Sequence, residues 1–124
     1  MSKRKNPVSD RAVEFILTRK LDQLGALTEI SLAHALGVSL SYLSREFKED
    51  QKIDLGEFIV REKIHTAMSL MAKHQDIAIE ELAGKLGFPK INQFVDAFKN
   101  YIATDPVTYQ NLKSNRPLSI PIGN

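Results

Sequence analysis

Ser41, Ser44, Arg45 and Lys48 are the side chains whose types and spacing best suggest chemistry. At about 100° per residue they fall on one side of a helix, opposite Leu43 and Phe47, with Leu40 at the edge. Arginine can grip guanine with two parallel hydrogen bonds, serine can bond a base or a phosphate, and lysine can neutralise phosphate. An ordinary solvated helix face has the same composition, and the residues alone leave that alternative open.

A second set follows at the same spacing: Asn92, Val95, Asp96 and Lys99, with Lys90 just before it. Asn92 can pair with adenine, Val95 can touch a thymine methyl, and Asp96 can accept from cytosine. Asp96 stands where the first set has Arg45, and Val95 where it has Ser44, so this face attracts a polyanion less. Whether it reads bases or braces the first set is open.

Such faces need a rigid mount, and the chain repeats one. In Leu32–Lys48, LAHALGVSLSYLSREFK, Ala33 and Gly37 are four apart, and Leu43, Phe47 and Lys48 follow. Ala83 and Gly87 repeat the first pair, and Phe94, Phe98 and Lys99 repeat the close. The offset is 50 residues up to the glycines and 51 after them, so the second copy has one extra turn residue. An alanine facing a partner helix, then a glycine where the chain turns sharply, marks a helix-turn-helix. Two units are expected, at about 28–49 and 78–102.

In chain order, residues 1–8 read as a basic arm. A single helix is expected from Val8, capped by Ser9 or Asp10, with Val13, Ile16, Leu17, Leu21 and Leu24 on one apolar face and Gly25 stopping it. Thr28 caps a helix over about 29–36. Ser39 caps the first recognition helix, about 40–49. Asp54 to Glu57 has capping-box chemistry and opens a connecting helix over about 55–72. At about 1.5 Å per residue it is roughly 27 Å long, near the roughly 34 Å between successive major grooves on one face of duplex DNA. The second scaffold helix carries Ile79, Leu82, Ala83 and Leu86. Gly87-Phe88-Pro89 makes the turn, and the second recognition helix covers about 90–102. Asp105 and Pro106 start a last short helix, with Val107, Tyr109 and Leu112 packing back. Residues 111–124 read as a flexible tail.

Composition narrows the function classes. The 124 residues are 43% hydrophobic and 26% charged, ordinary for a globular protein. With no cysteine, disulfides and thiolate metal sites are excluded. No apolar run is long enough for a membrane span, and the basic start lacks the apolar core of a signal peptide, so a cytoplasmic protein is expected. His34, His65 and His74 have no carboxylate cluster at ligand spacing, and no phosphate-loop or nucleophile motif occurs, so neither metal, cofactor nor enzyme activity is implied. Net charge is +2, but residues 1–20 hold six basic and two acidic residues. Residues 21–124 therefore carry 11 basic against 13 acidic, or −2. Any positive surface must come from local placement.

The two units, the long helix between them and the trailing DPVTY together resemble the AraC/XylS-type DNA-binding domain over about residues 9–110. The matching residues are LAHALGVSLSYLSREFK, then Ile64, Ala67 and Met71, then ELAGKLGF, Phe94, AFKNY and DPVTY. The resemblance implies an all-α fold of about seven helices, two helix-turn-helix subdomains joined by a long connecting helix. It implies a transcriptional regulator that binds double-stranded promoter DNA through two successive major grooves and contacts RNA polymerase. It places base or backbone contacts at Ser41, Ser44, Arg45 and Lys48, and at Asn92, Val95, Asp96 and Lys99. The chain is similar to the small stand-alone members, which act as monomers. It departs from the family pattern at Lys52 and Ala103, where glycine is usual, and at Lys63 and Gln110, where arginine is. Ala78 replaces a polar cap, and an acid at Asp96 is atypical.

Two functions remain in competition. One is a sequence-specific regulator using both halves. The other is a protein-interaction co-regulator or antagonist on the same fold, with weak or no DNA binding, motivated by the −2 charge and the Val95–Asp96 face.

Overall fold

The computed structural model describes residues 6–74 and 76–113. Among them are eight α-helices and no strand. They are α1 (Pro7–Leu17), α2 (Leu21–Ala26), α3 (Glu29–Leu36), α4 (Leu40–Gln51), α5 (Leu55–Lys73), α6 (Ile79–Lys85), α7 (Ile91–Ile102) and α8 (Pro106–Lys113). The chain divides into two units, Met1–Glu62 and Lys63–Asn124. Most of the expected arm and residues 114–124 of the expected 111–124 tail lie outside the described residues, while residues 111–113, expected in that tail, continue α8.

In the first unit the expected single leading helix is two. Asn6, not Ser9 or Asp10, caps α1: its side chain accepts from the Ser9 N–H at 3.1 Å. The break comes at Thr18, whose N–H and hydroxyl both donate to the Glu14 carbonyl, at 3.1 and 2.8 Å. The Arg19 side chain takes the Phe15 carbonyl at 3.0 Å. With those acceptors used, the chain extends through Lys20 (φ −76°, ψ 167°) and restarts as α2. Gly25 lies inside α2, and the chain leaves that helix at Leu27. The break also changes which face is buried. Val8, Ala12 and Ile16 enter the core, while Leu17 is 58% exposed.

That core joins α1 to α3 and α4. Leu32, Ala33, Leu43 and Phe47 are buried, and the Phe47 ring meets Phe58 edge-on at 5.2 Å. Polar ties from α1 fix the scaffold: Arg11 donates to the Leu36 carbonyl at 3.1 Å, closing the end of α3. Asn6 Nδ2 donates to the Glu46 carbonyl at 3.3 Å, and Gln51 donates to the buried Ser9 hydroxyl at 3.1 Å.

In the second unit a run of rings forms the centre. Phe88, Phe94, Phe98 and Tyr109 stand in sequence at centroid distances of 5.4, 5.8 and 5.4 Å, all tilted or edge-to-face. Ile64, Ala67 and Met71 of α5 and Leu82 and Leu86 are fully buried. The last helix seats itself through buried Pro106 and through Tyr109. Val107 (53% exposed) and Leu112 (72%) do not pack back as expected, because Pro106 and Tyr109, three apart, take the inward face. Gln110 donates to the Ile77 carbonyl at 2.5 Å, joining α8 to the segment before α6.

Candidate nucleic-acid interface

The two turns that mount the recognition helices share one backbone geometry. Gly37 and Gly87 both adopt left-handed conformations, φ 72° and 82°. The following N–H, Val38 or Phe88, donates to the carbonyl of Ala33 or Ala83, at 3.1 and 3.0 Å. Gly37 N–H donates to His34 and Gly87 N–H to Gly84, at 3.1 and 3.0 Å. A side chain at either glycine would meet the steric cost of the left-handed region.

After the turns the copies differ. Ser39 caps α4, its hydroxyl accepting from the Tyr42 N–H at 3.1 Å. Lys90 stands at the same place before α7, and no side chain caps that helix. Nor does one cap α6 at Ala78. Both recognition helices end on a left-handed residue that is not glycine: Lys52 (φ 64°) and Ala103 (φ 68°), whose N–H groups donate to Lys48 and Lys99 at 2.9 Å each. These are the two positions where the resemblance leads one to expect glycine.

On α4, Ser41, Arg45 and Lys48 are exposed and Ser44 is half-buried. The four line one open depression with Glu49 and Asp54. The two cations are already engaged. Lys48 Nζ lies 3.0 Å from Asp54 Oδ1, and this hydrogen bond and charge, helped by Glu57, hold the ammonium above its ordinary pKa. Arg45 Nε is 3.6 Å from Glu46 Oε2, and its guanidinium lies 5.6 Å over the Tyr42 ring. Asp54 is expected from the sequence only as a helix cap, and Glu49 and Tyr42 (42% exposed) carry no role there. The three-residue step from Tyr42 to Arg45 along a helix was the available signal for Tyr42.

On α7, Asn92, Asp96 and Lys99 are exposed and Val95 is half-buried, opposite fully buried Phe94 and Phe98. Lys90 is exposed at the start of the helix. Exposed Gln93 borders this stripe and was also not anticipated.

In the second unit, Lys63 is only 9% exposed, with its ammonium 5.7 Å from the Phe88 ring centre, and burial pushes its pKa down. Asp105 caps α8, accepting from the Thr108 N–H at 2.8 Å and its hydroxyl at 3.0 Å. These bonds hold its carboxyl below the usual range, with Lys99 adding a smaller charge effect. Among the described residues no group of His, Asp or Glu could hold a metal ion, and no helix is long and apolar enough to cross a membrane.

The chain is similar to known proteins. A family model described as a helix-turn-helix domain matches residues 32–111. The xylose operon regulatory protein of Escherichia coli (strain K12) is 31% identical over 80 residues, 64% of this chain and 20% of that protein. The chain thus spans about a fifth of that relative's length. The C-terminal domain of AraT, a response regulator from Geobacillus stearothermophilus, superposes with a TM-score of 0.76 at 28% identity, covering 89% of this chain and 88% of that one. A DNA-binding transcriptional dual regulator from Escherichia coli K-12 shares the fold, with a TM-score of 0.73 at 20% identity over 94% of this chain and 100% of that one.

Proposed function

Since this chain belongs to the AraC/XylS-type helix-turn-helix regulators, we propose that it binds promoter DNA sequence-specifically, with α4 and α7 entering successive major grooves. The observation that carries the reading is the matched pair of glycine turns, each followed by a helix with a polar stripe at one spacing. Ser41, Ser44, Arg45 and Lys48 form the first contact surface, and Lys90, Asn92, Val95, Asp96 and Lys99 the second. Arg45 is the base reader, through the bidentate geometry guanine offers. Lys48, Lys90 and Lys99 meet phosphate, and the serines and Asn92 bond base edges or phosphate. The protein acts in the cytoplasm as a monomer on an asymmetric site and contacts RNA polymerase.

Selection of bound duplexes from a random pool, followed by footprinting, tests the reading. Two protected segments about one helical turn apart are expected. Arg45→Ala should weaken binding to the selected site by about 1–3 kcal/mol and relax one base position. Unchanged binding by Arg45→Ala and Ser41→Ala would remove α4 from the interface.

A second reading is supported by the carboxylates already on both α4 cations and by Asp96 on α7. On it the fold serves as a protein-interaction module that antagonises or assists another regulator. Absence of any duplex binding at low salt would favour it.

A further inference from the structure

We propose that Asp54 occupies Lys48 as an internal substitute for a phosphate, and so limits how strongly the first recognition helix engages duplex DNA by charge alone. The inference rests on the DNA-binding reading and adds a residue that sets the strength of its first phosphate contact. Three observations converge. Asp54 Oδ1 sits 3.0 Å from the Lys48 ammonium, a charge-assisted hydrogen-bond distance. Both side chains are more than half exposed (62% and 55%), so an incoming phosphate can reach the pair. The pair lies within the depression that Ser41, Ser44 and Arg45 also line, and Glu49 adds a second carboxylate there.

The backbone holds Asp54 in place. Lys52 turns the chain back through its left-handed conformation, and the Asp54 carbonyl accepts from the Phe58 N–H at 2.9 Å as α5 begins. The carboxylate therefore arrives at Lys48 from a fixed helix start. A phosphate on Lys48 must displace this carboxylate or bear its repulsion. Because the contact is to phosphate, the cost falls about equally on arbitrary and on preferred sequence, and arbitrary sequence, bound by charge, is the direct probe of it.

The test compares the wild type with Asp54→Asn, Lys48→Ala, the double variant, and Glu81→Gln. Asparagine keeps the capacity to cap a helix start, so the fold of the loop is spared. Glu81 pairs with Lys85 at 3.9 Å on a scaffold helix and controls for net charge. Anisotropy titrations use a short duplex of arbitrary sequence across a salt series. Asp54→Asn should bind about twofold to fivefold tighter at low salt, the scale of an exposed ion pair. Its salt slope should steepen by up to about 0.9, one more phosphate neutralised. The gain should vanish when Lys48 is alanine. Without DNA, side-chain NMR of Lys48 should titrate closer to the ordinary 10.5 in Asp54→Asn than in the wild type.

An unchanged Asp54→Asn affinity, beside a wild type that binds duplex, overturns the inference and leaves the DNA reading standing. The same gain in the Lys48→Ala background, or from Glu81→Gln, overturns it in favour of net charge. An unchanged Lys48 titration overturns it as well. If none of the five proteins binds duplex at low salt, the DNA reading falls and the inference with it.

Discussion

At the scale of single residues, the ends of the two recognition helices carry strain that glycine would relieve. Lys52 and Ala103 hold φ near 64° and 68°, where a β-carbon crowds the backbone. Lys52→Gly and Ala103→Gly should each stabilise the fold by about 1 kcal/mol, the left-handed cost less glycine's extra chain entropy. Urea midpoints measure this, and a loss of stability would show the conformation to be paid back by contacts of the native side chain. The sequence pointed to both positions as departures from a family pattern, and φ gives the reason. Lys63 was different. It read as a substituted arginine in an amphipathic helix, and only packing buries it beside Phe88. Burial lowers its pKa, so between that lowered value and 10.5 the unfolded chain binds more protons than the folded one. Stability should therefore gain an increment as pH rises through that window, and Lys63→Met should lose it. Denaturant unfolding of both proteins across the alkaline range is the measurement.

Among elements, caps decide where helices begin and breaks decide which face is inward. Thr28, Ser39 and Asp105 were readable as caps because each lies immediately before an apolar period, and the bonds to Ser31, Tyr42 and Thr108 are present. The break at Thr18 was not readable. A Thr-Arg-Lys stretch continues a helix by propensity, and only the competition of Thr18 and Arg19 for last-turn carbonyls ends it. Asp105 gives this scale its prediction. Its carboxylate favours folding above its ordinary pKa of 3.8, and that contribution disappears as pH falls through the lowered folded value. The Thr108 amide should lose hydrogen-exchange protection in that acid window. In Asp105→Ala the protection should be low at every pH.

For the molecule as a whole, the question is how a chain with little net charge meets a polyanion. Residues 1–20 carry +4 and the rest −2, so on the proposed reading the interface depends on where four cations stand: Arg45, Lys48, Lys90 and Lys99. Duplex affinity should fall with salt, with a log–log slope between about −2 and −4. A steeper slope would bring in basic residues beyond these faces, and a flat one would favour the protein-interaction reading. Equilibrium titrations at several salt concentrations separate these outcomes.

What the chain determined by itself was local. Glycine turns, cap residues and the spacing of Leu43, Phe47, Phe94 and Phe98 act over a few residues, through backbone sterics and one helical turn, and a reader of the sequence has every participant in view. What tertiary structure decided was which faces are buried and which groups of different elements meet. It exposed Leu17, Val107 and Leu112, buried Lys63, tied Gln110 to Ile77, and set Asp54 against Lys48. Burial and ion pairing depend on the approach of elements that share no local period, so their outcome is fixed only once the helices are packed.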